Sequence, residues 1–470
     1  MNGNLEHHPW HNHLGYPVDC IHPLSAVDQS APREYIRWMY IFDFPDTSEL
    51  SIHQAIHSIR RGVENALRYY PFLAGKLKVL PTSVVDDVEL FYDRILFPER
   101  INEIFKFKIF QDEVNFYDYL RSLSMPVSHW KPEEFCAAPL NPNYFIWQPA
   151  FTLQANFLGS GGLILCFAFH HSVMDEWSVA HFLGRFSWGI RRARGLISPD
   201  SIDQYNTGPL EYQLFDLSEY IVPGPVESFL NFPEWSNSGS LANQTLEYED
   251  APTNYIVFMS HTMATQWTWE IGNYLRQIQV EGYVEIIDCL VSMIWTEILR
   301  AGQTDVVPNR DSRMYIDTNV RNRLRPPLPK VYFGNMSAAS VALIESNELM
   351  ATGEDEDLRS DSIRWFACAA MVIRRTIRIL DDPYVRRRIT LLNSHPEPAR
   401  MREIADYAIH CRKSGTRMSN VGIGADISFG IPGAGCGPDD DRPRFIRRPW
   451  MRDSHGIISA VPRKAGREAN

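Results

Sequence analysis

The segment HHSVMDEW at 170–177 sets His170, His171 and, four residues beyond His171, Asp175 close together in the chain. A histidine at the end of a buried strand can be held rigidly while its ring faces a cleft. Imidazole exchanges its proton near neutral pH, which suits it to take a proton from a hydroxyl or amine nucleophile. An acid four residues on could orient that ring, or could instead brace the loop that follows. Three further readings stand beside catalysis: a satisfied pair of core histidines, a metal site formed by His170, His171 and Asp175, and a helix N-cap supplied by Asp175. Spacing alone does not choose among them, because short motifs recur by chance.

Particular elements must position this segment. The run GGLILCFAFHH (161–171) predicts a buried strand, and 177–194 carries a helical period that ends in basic residues suited to a helix C-terminus. The two histidines therefore fall at a strand-to-helix junction. Upstream, YIRWMYIFD (35–43) predicts a strand. Residues 49–69 predict an amphipathic helix with apolar positions at Leu50, Ile52, Ile56, Ile59, Val63 and Leu67, ended by Tyr70-Pro71. Downstream the pattern predicts a strand at 254–260 (NYIVFMS), a helix at 284–301, a turn at RPPLP (325–329), a solvated acidic loop at 353–362 and a basic-faced helix around 363–380. Alternating strands and helices point to layered α/β sheets.

The whole chain bounds what the segment can serve. Its 470 residues, 44% hydrophobic and 12% aromatic, describe a folded protein large enough for two or three domains. Pro, Gly, Ser, Asn and acids accumulate across 205–252, which predicts an N-terminal domain over 1–204, a crossover connection, and a C-terminal domain over 253–470. Two such halves would enclose a cleft. The formal charge of −11 argues against a nucleic-acid binder, which needs clustered cations. Seven scattered cysteines, none in a C-x-x-C pair, suit reduced thiols. No stretch approaches the roughly 18 apolar residues of a membrane span, and no apolar signal core opens the chain, so a cytoplasmic location is the expectation. His7, His8, His11 and His13 read as a solvated segment, and Arg463, Lys464 and Arg467 as a solubilising tail.

Further blocks carry a family resemblance. HHSVMD matches an H-x-x-x-D signature; HPLSAVDQSAPREY (22–35), YPFLAGKL (70–77), SMIWTEILRA (292–301), NVRNRLRPPLPKVYFGN (319–335) and DISFGIPG with RFIRRP (444–449) follow in order. In these blocks the chain resembles the BAHD-type acyl-CoA-dependent acyltransferases, in particular the fungal branch typified by trichothecene 3-O-acetyltransferase. The resemblance implies a two-domain, chloramphenicol-acetyltransferase-like α/β fold, each domain a mixed sheet flanked by helices, with a channel between them. It implies an O-acyltransferase of secondary metabolism, a monomer, with no tightly bound cofactor and no metal. Acyl-CoA, acetyl-CoA first, would be the cosubstrate, and a hydrophobic hydroxylated small molecule the acceptor. His171 would be the general base without a covalent acyl-enzyme, and Asp175 would turn from the substrate to pair with an arginine.

The same resemblance directs attention to His170, Met174, Glu176, Trp177 and Asn335 as channel lining or structural support. The basic run RPRFIRRPWMRD separately puts Arg447 and Arg448 forward as contacts for the anionic CoA, because an anionic protein must concentrate its positive charge locally. Two departures stand out. Glu176 replaces the glycine common after the motif acid. In the second signature, D-F-G-W-G, only Phe429 and Gly430 match, with Ser428 in the place of the acid. That acid pairs with an arginine in relatives, here Arg321, and Asp426 is the candidate substitute. Two other functions compete: a free-standing condensation-domain-like enzyme using a carrier-bound acyl group, and a non-catalytic small-molecule binder of the same fold.

Overall fold

The computed structural model describes residues 19–79, 88–93, 98–111, 115–143, 146–198, 216–235, 256–257, 259–301, 311–328, 332–345, 358–395, 401, 415–420, 426–435, 440–449 and 457–460. The strands are β1 (Asp19–Pro23), β2 (Tyr35–Asp43), β3 (Lys76–Val79), β4 (Val88–Asp93), β5 (Phe105–Phe110), β6 (Gln148–Pro149), β7 (Phe151–Leu158), β8 (Gly162–His170), β9 (Asp311–Asn319), β10 (Ser337–Glu345), β11 (Gly415–Asn420), β12 (Phe445–Arg447) and β13 (Ile457–Ala460). The helices are α1 (Ala26–Gln29), α2 (Glu49–Tyr69), α3 (Pro98–Ile104), α4 (Phe116–Ser122), α5 (Pro132–Phe135), α6 (Glu176–Ala193), α7 (His261–Gln277), α8 (Ile286–Ala301), α9 (Leu358–Ile379) and α10 (Asp382–Ser394).

β8 is buried along its whole length because it lies between β2 and β7, antiparallel to both, in the five-stranded sheet β12-β2-β8-β7-β5. A strand covered on both faces needs the continuous apolar run that 163–169 supplies. One face stacks Phe151, Phe167 and Phe169, and Phe182 of α6 closes on them, 5.0 Å from Phe169. Val179, Phe182, Leu183, Phe186 and Ile190 recur at helical spacing and turn that face of α6 to the core. α2 buries Ile52, Ile59, Val63 and Leu67 in the same core. Glycines let α2 and α6 approach closely. A Cβ at Gly62 would lie 2.8 Å from Ile190 and Phe186, and one at Gly189 would lie 2.5 Å from Asn65.

A second sheet, β10-β9-β11-β13, carries the other half, with α8 and α9 packed on it through Trp295, Ala369 and Ile373. Trp295 donates its indole N–H to Ser312 at 2.8 Å, so the ring is buried without losing a hydrogen bond. A third sheet, β1-β4-β3-β6, flanks the first half.

Three expectations need correction. NYIVFMS forms no strand in its described residues: Val257 is 78% exposed with no sheet edge beside it, and Ser260 caps α7 by accepting the Met263 N–H. Residues 358–362 of the predicted acidic loop are helical, since α9 begins at Leu358, and 353–357 lie outside the described residues. The C-terminal half is not continuous in space either. Phe429 packs on Tyr40, Phe42 and Phe186, and β12 pairs with β2, so the described residues 427–435 and 440–447 lie back against the first half. In the crossover, Leu217, Tyr220, Phe232 and Trp235 are buried against α10, while 205–215 and 236–252 lie outside the described residues, as do His7, His8, His11, His13, Arg463, Lys464 and Arg467.

One substitution should act with opposite sign at two helical glycines. Gly62→Ala should lower the melting temperature through a clash costing about 1–3 kcal/mol. Gly272→Ala, in α7 with open space around it, should raise it by removing about 1 kcal/mol of helix cost. Equal shifts in thermal unfolding would contradict this packing.

Candidate active site

The two adjacent histidines face opposite ways, as successive residues at a strand end must. His170 is buried; its Nδ1 accepts the Ser172 N–H at 3.2 Å, and its ring meets the edge of Tyr35 at 5.2 Å. It is a core histidine. His171 is half-buried, its backbone N–H donating to the Glu34 carbonyl at 2.9 Å and its Nδ1 lying 3.0 Å from Oδ1 of Asn335. Among the described residues no three His, Cys, Asp or Glu side chains converge as metal ligands would.

Proton counting fixes the ring. Nδ2 of Asn335 spends its two hydrogens on the His171 carbonyl (2.7 Å) and on Oδ1 of Asp28 (2.9 Å), both pure acceptors. The amide is therefore oriented with Oδ1 toward His171, and Oδ1 can only accept. Nδ1 must carry the proton, which leaves the lone pair on Nε2. No described residue bonds Nε2.

Asp28 is the member that sequence reading missed. Ser25 caps α1 in a reciprocal box: its hydroxyl accepts the Asp28 N–H, and Oδ2 of Asp28 accepts the Ser25 N–H at 3.2 Å and hydroxyl at 2.6 Å. That aims Oδ1 at Asn335, whose backbone N–H it accepts at 2.7 Å. Burial pushes the Asp28 carboxyl up to about 6 against the pull of these bonds. The Ser25-x-x-Asp28 spacing inside HPLSAVDQSAPREY was the available signal.

Asp175 turns away from His171. It caps α6 by accepting the Ser178 N–H at 3.2 Å, and it receives Arg321 through two bonds, Nη1 to Oδ2 at 2.8 Å and Nη2 to Oδ1 at 3.0 Å. The Met336 N–H adds a bond at 2.9 Å. Burial pushes the Asp175 carboxyl up, but the Arg321 charge and this set of donors outweigh it and hold it below the usual carboxylate range. Arg321 and Asn335 come from the segments flanking β9 and β10, so the acid and the histidine are each tied to the second half.

Other site expectations fare differently. Asp426 is exposed and does not meet Arg321, whose guanidinium is spent on Asp175, so the proposed replacement pair is absent. The signature position is filled another way: Ser428 bonds both Asp441 and Arg191, and Asp441 pairs with Arg191 at 3.1 Å. Gly430 has φ +71° and packs where a Cβ would lie 2.5 Å from Arg191, so glycine is required. Arg447 is buried and donates to the carbonyls of Met125, Ser124 and Ile446, which corrects the CoA assignment, since its guanidinium ties β12 to the loop after α4. Arg448 bonds Glu176 at 3.2 Å and lies 4.6 Å from the Trp38 ring centre, so the unusual Glu176 carboxylate is neutralised. Met174 is fully buried in the core, and Trp177 is 45% exposed beside His181.

Removing one partner of a buried pair strands the other charge. Arg321→Ala should cost about 3–5 kcal/mol at neutral pH. Because the folded carboxyl lies below its unfolded value of 3.8, the pair's contribution is present above that pH and lost as the pH falls through the folded value. Unfolding followed from neutral pH down through 3.8 and below should therefore show the gap between wild type and variant closing at the acid end; a gap independent of pH would contradict the assignment.

The chain matches the Transferase family model over residues 139–358 and the trichothecene 3-O-acetyltransferase-like N-terminal domain over 35–187. It is 26% identical over 429 residues to the O-acetyltransferase ptmV of Penicillium ochrochloron, covering 82% of this chain and 81% of that one. It is 23% identical to the acyltransferase clz6 of Cochliobolus lunatus over 357 residues, covering 69% and 68%. Among solved structures, TRI101 of F. sporotrichioides, complexed with coenzyme A and T-2, superposes with a TM-score of 0.68 at 15% identity over 94% of this chain and 91% of that one. Vinorine synthase gives 0.54 at 14% identity over 94% and 86%. The fold is thus the two-domain, chloramphenicol-acetyltransferase-like mixed α/β fold, and across residues 35–358 the chain matches the BAHD-type acyltransferase family, with an N-terminal domain like that of its fungal trichothecene 3-O-acetyltransferase branch.

Proposed function

We propose that the chain transfers an acyl group, acetyl first, from acyl-CoA to a hydroxyl of a hydrophobic small molecule, with His171 as general base. The observation that carries this reading is the oriented imidazole: Nδ1 is committed to Asn335, and Nε2 is left to receive a proton. As the acceptor oxygen attacks the thioester carbonyl, Nε2 takes its proton. The tetrahedral oxyanion then expels CoA thiolate, and the imidazolium returns the proton to sulfur. The protein ends as it began, so no acyl-enzyme is required. Coenzyme A in the TRI101 complex and the O-acetyltransferase name of the ptmV relative support the donor and the reaction class. We assign Asp175 and Arg321 to holding the loop after β8, and Glu176 and Trp177 to the approach of substrate. No helix among the described residues is long and apolar enough to cross a membrane, and we take the enzyme as a cytoplasmic monomer.

The purified protein should release CoA thiol from acetyl-CoA when given a panel of hydroxylated natural products. His171→Ala should lower that rate by about 10²–10⁴-fold. Intact-mass measurement after mixing with acetyl-CoA alone should show no added acetyl group on the enzyme. Full activity of the alanine variant, or an acylated enzyme that turns over at the catalytic rate, would overturn the mechanism.

A further inference from the structure

We propose that Asp28 is a positioning residue for His171: acting through the Asn335 amide, its carboxylate holds the imidazole in the Nδ1–H form and strengthens Nε2 as the base. The inference rests on the acyl-transfer reading and adds a member 307 residues from Asn335 in sequence that no substrate need touch. Oδ1 of Asp28 accepts both N–H groups that Asn335 offers it, at 2.7 and 2.9 Å, which pins the amide in one orientation. A negative charge behind Nδ2 polarises the amide and makes Oδ1 of Asn335 a stronger acceptor for the ring N–H. Both hydrogens stay on Nδ2 throughout, so the amide transmits orientation and polarisation and no proton passes along it.

The surroundings leave Asp28 to this task. Ser25 occupies Oδ2. From the 319–335 block, Tyr332 is buried nearby and its hydroxyl is pushed up by burial first and then by the Asp28 charge. Arg321 lies 5.8 Å from the Tyr332 ring but spends its charge on Asp175. On α1, Gln29 takes the Arg33 guanidinium and bonds Val88 of β4. Helix α10 packs on α1 through apolar contacts around Val27, and its Arg386, Arg387 and Arg388 pair with Asp382, Glu227 and Glu234. Asp28 is fully buried, and its carboxyl stands at about 6. Above that pH it is a carboxylate and the relay is taut. Below it the added proton leaves a neutral, weaker acceptor, so the hold on Asn335 slackens.

Asp28→Asn keeps the shape and removes the charge. The variant should fold, as circular dichroism will report, with kcat lowered by about 10–100-fold and KM for acyl-CoA and acceptor within about twofold. The acid limb of its pH profile should lose the one proton that Asp28 contributes in wild type. Unchanged kcat, an effect confined to KM, or an identical acid limb in a folded variant would overturn the proposal. A second measurement does not depend on turnover or on the variant's folding. In the wild-type chain with labelled aspartate carboxyl carbons and histidine ring nitrogens, Asp28 and the His171 ring should share an inflection near pH 6. A His171 ring that ignores the Asp28 titration overturns the relay, whereas absence of acyl transfer with the shared inflection intact would fault the functional reading alone.

Discussion

Asp175 and Arg321 are both withdrawn from water, and each would be costly to bury without the other. One belongs to the loop after the central strand of the first half and the other to the segment leaving β9. Their meeting, 146 residues apart in sequence, fixes how the two halves sit around the strand-to-helix junction. The same carboxylate accepts the Met336 N–H, one residue beyond Asn335, and so sets the residue that grips His171. A structural ion pair thereby delivers the partner of the His171 ring.

This division of labour separates the two residues of the H-x-x-x-D segment by physics. Asp175 has its charge consumed, by a guanidinium and by the N-terminus of α6, and offers little to a substrate. His171 is held through backbone and amide contacts that leave one nitrogen unspent. The N-cap reading of Asp175 and its pairing with an arginine are both realised in the geometry, because a carboxylate has enough lone pairs for both.

Much of the fold was legible in the chain. The bounds of β2, α2, β8 and α6 follow from long periodic or wholly apolar runs, for which few alternatives exist. The third sheet was not legible, since β1, β3, β4 and β6 have two to six residues each, too short for a period to show. The run 254–260 has strand-like composition, yet its described residues 256, 257, 259 and 260 join no sheet, and composition cannot report a missing neighbour. At the site, the short-range elements were visible while their partners were not: Asp28 and Asn335 are brought together by tertiary folding alone. Arg447 illustrates the converse, a basic residue that reads as an anion contact until packing shows its donors taken by carbonyls.

The proposed chemistry depends on His171 being presented as a neutral imidazole with its proton on Nδ1. Ring-nitrogen magnetic resonance of the full chain at mildly alkaline pH, with the His171 signals assigned by difference from His171→Ala, tests it directly. The spectra should show the Nδ1–H tautomer with an unprotonated Nε2; a ring protonated on Nε2 would contradict the proposed role of His171, since that nitrogen could then accept nothing from an acceptor hydroxyl.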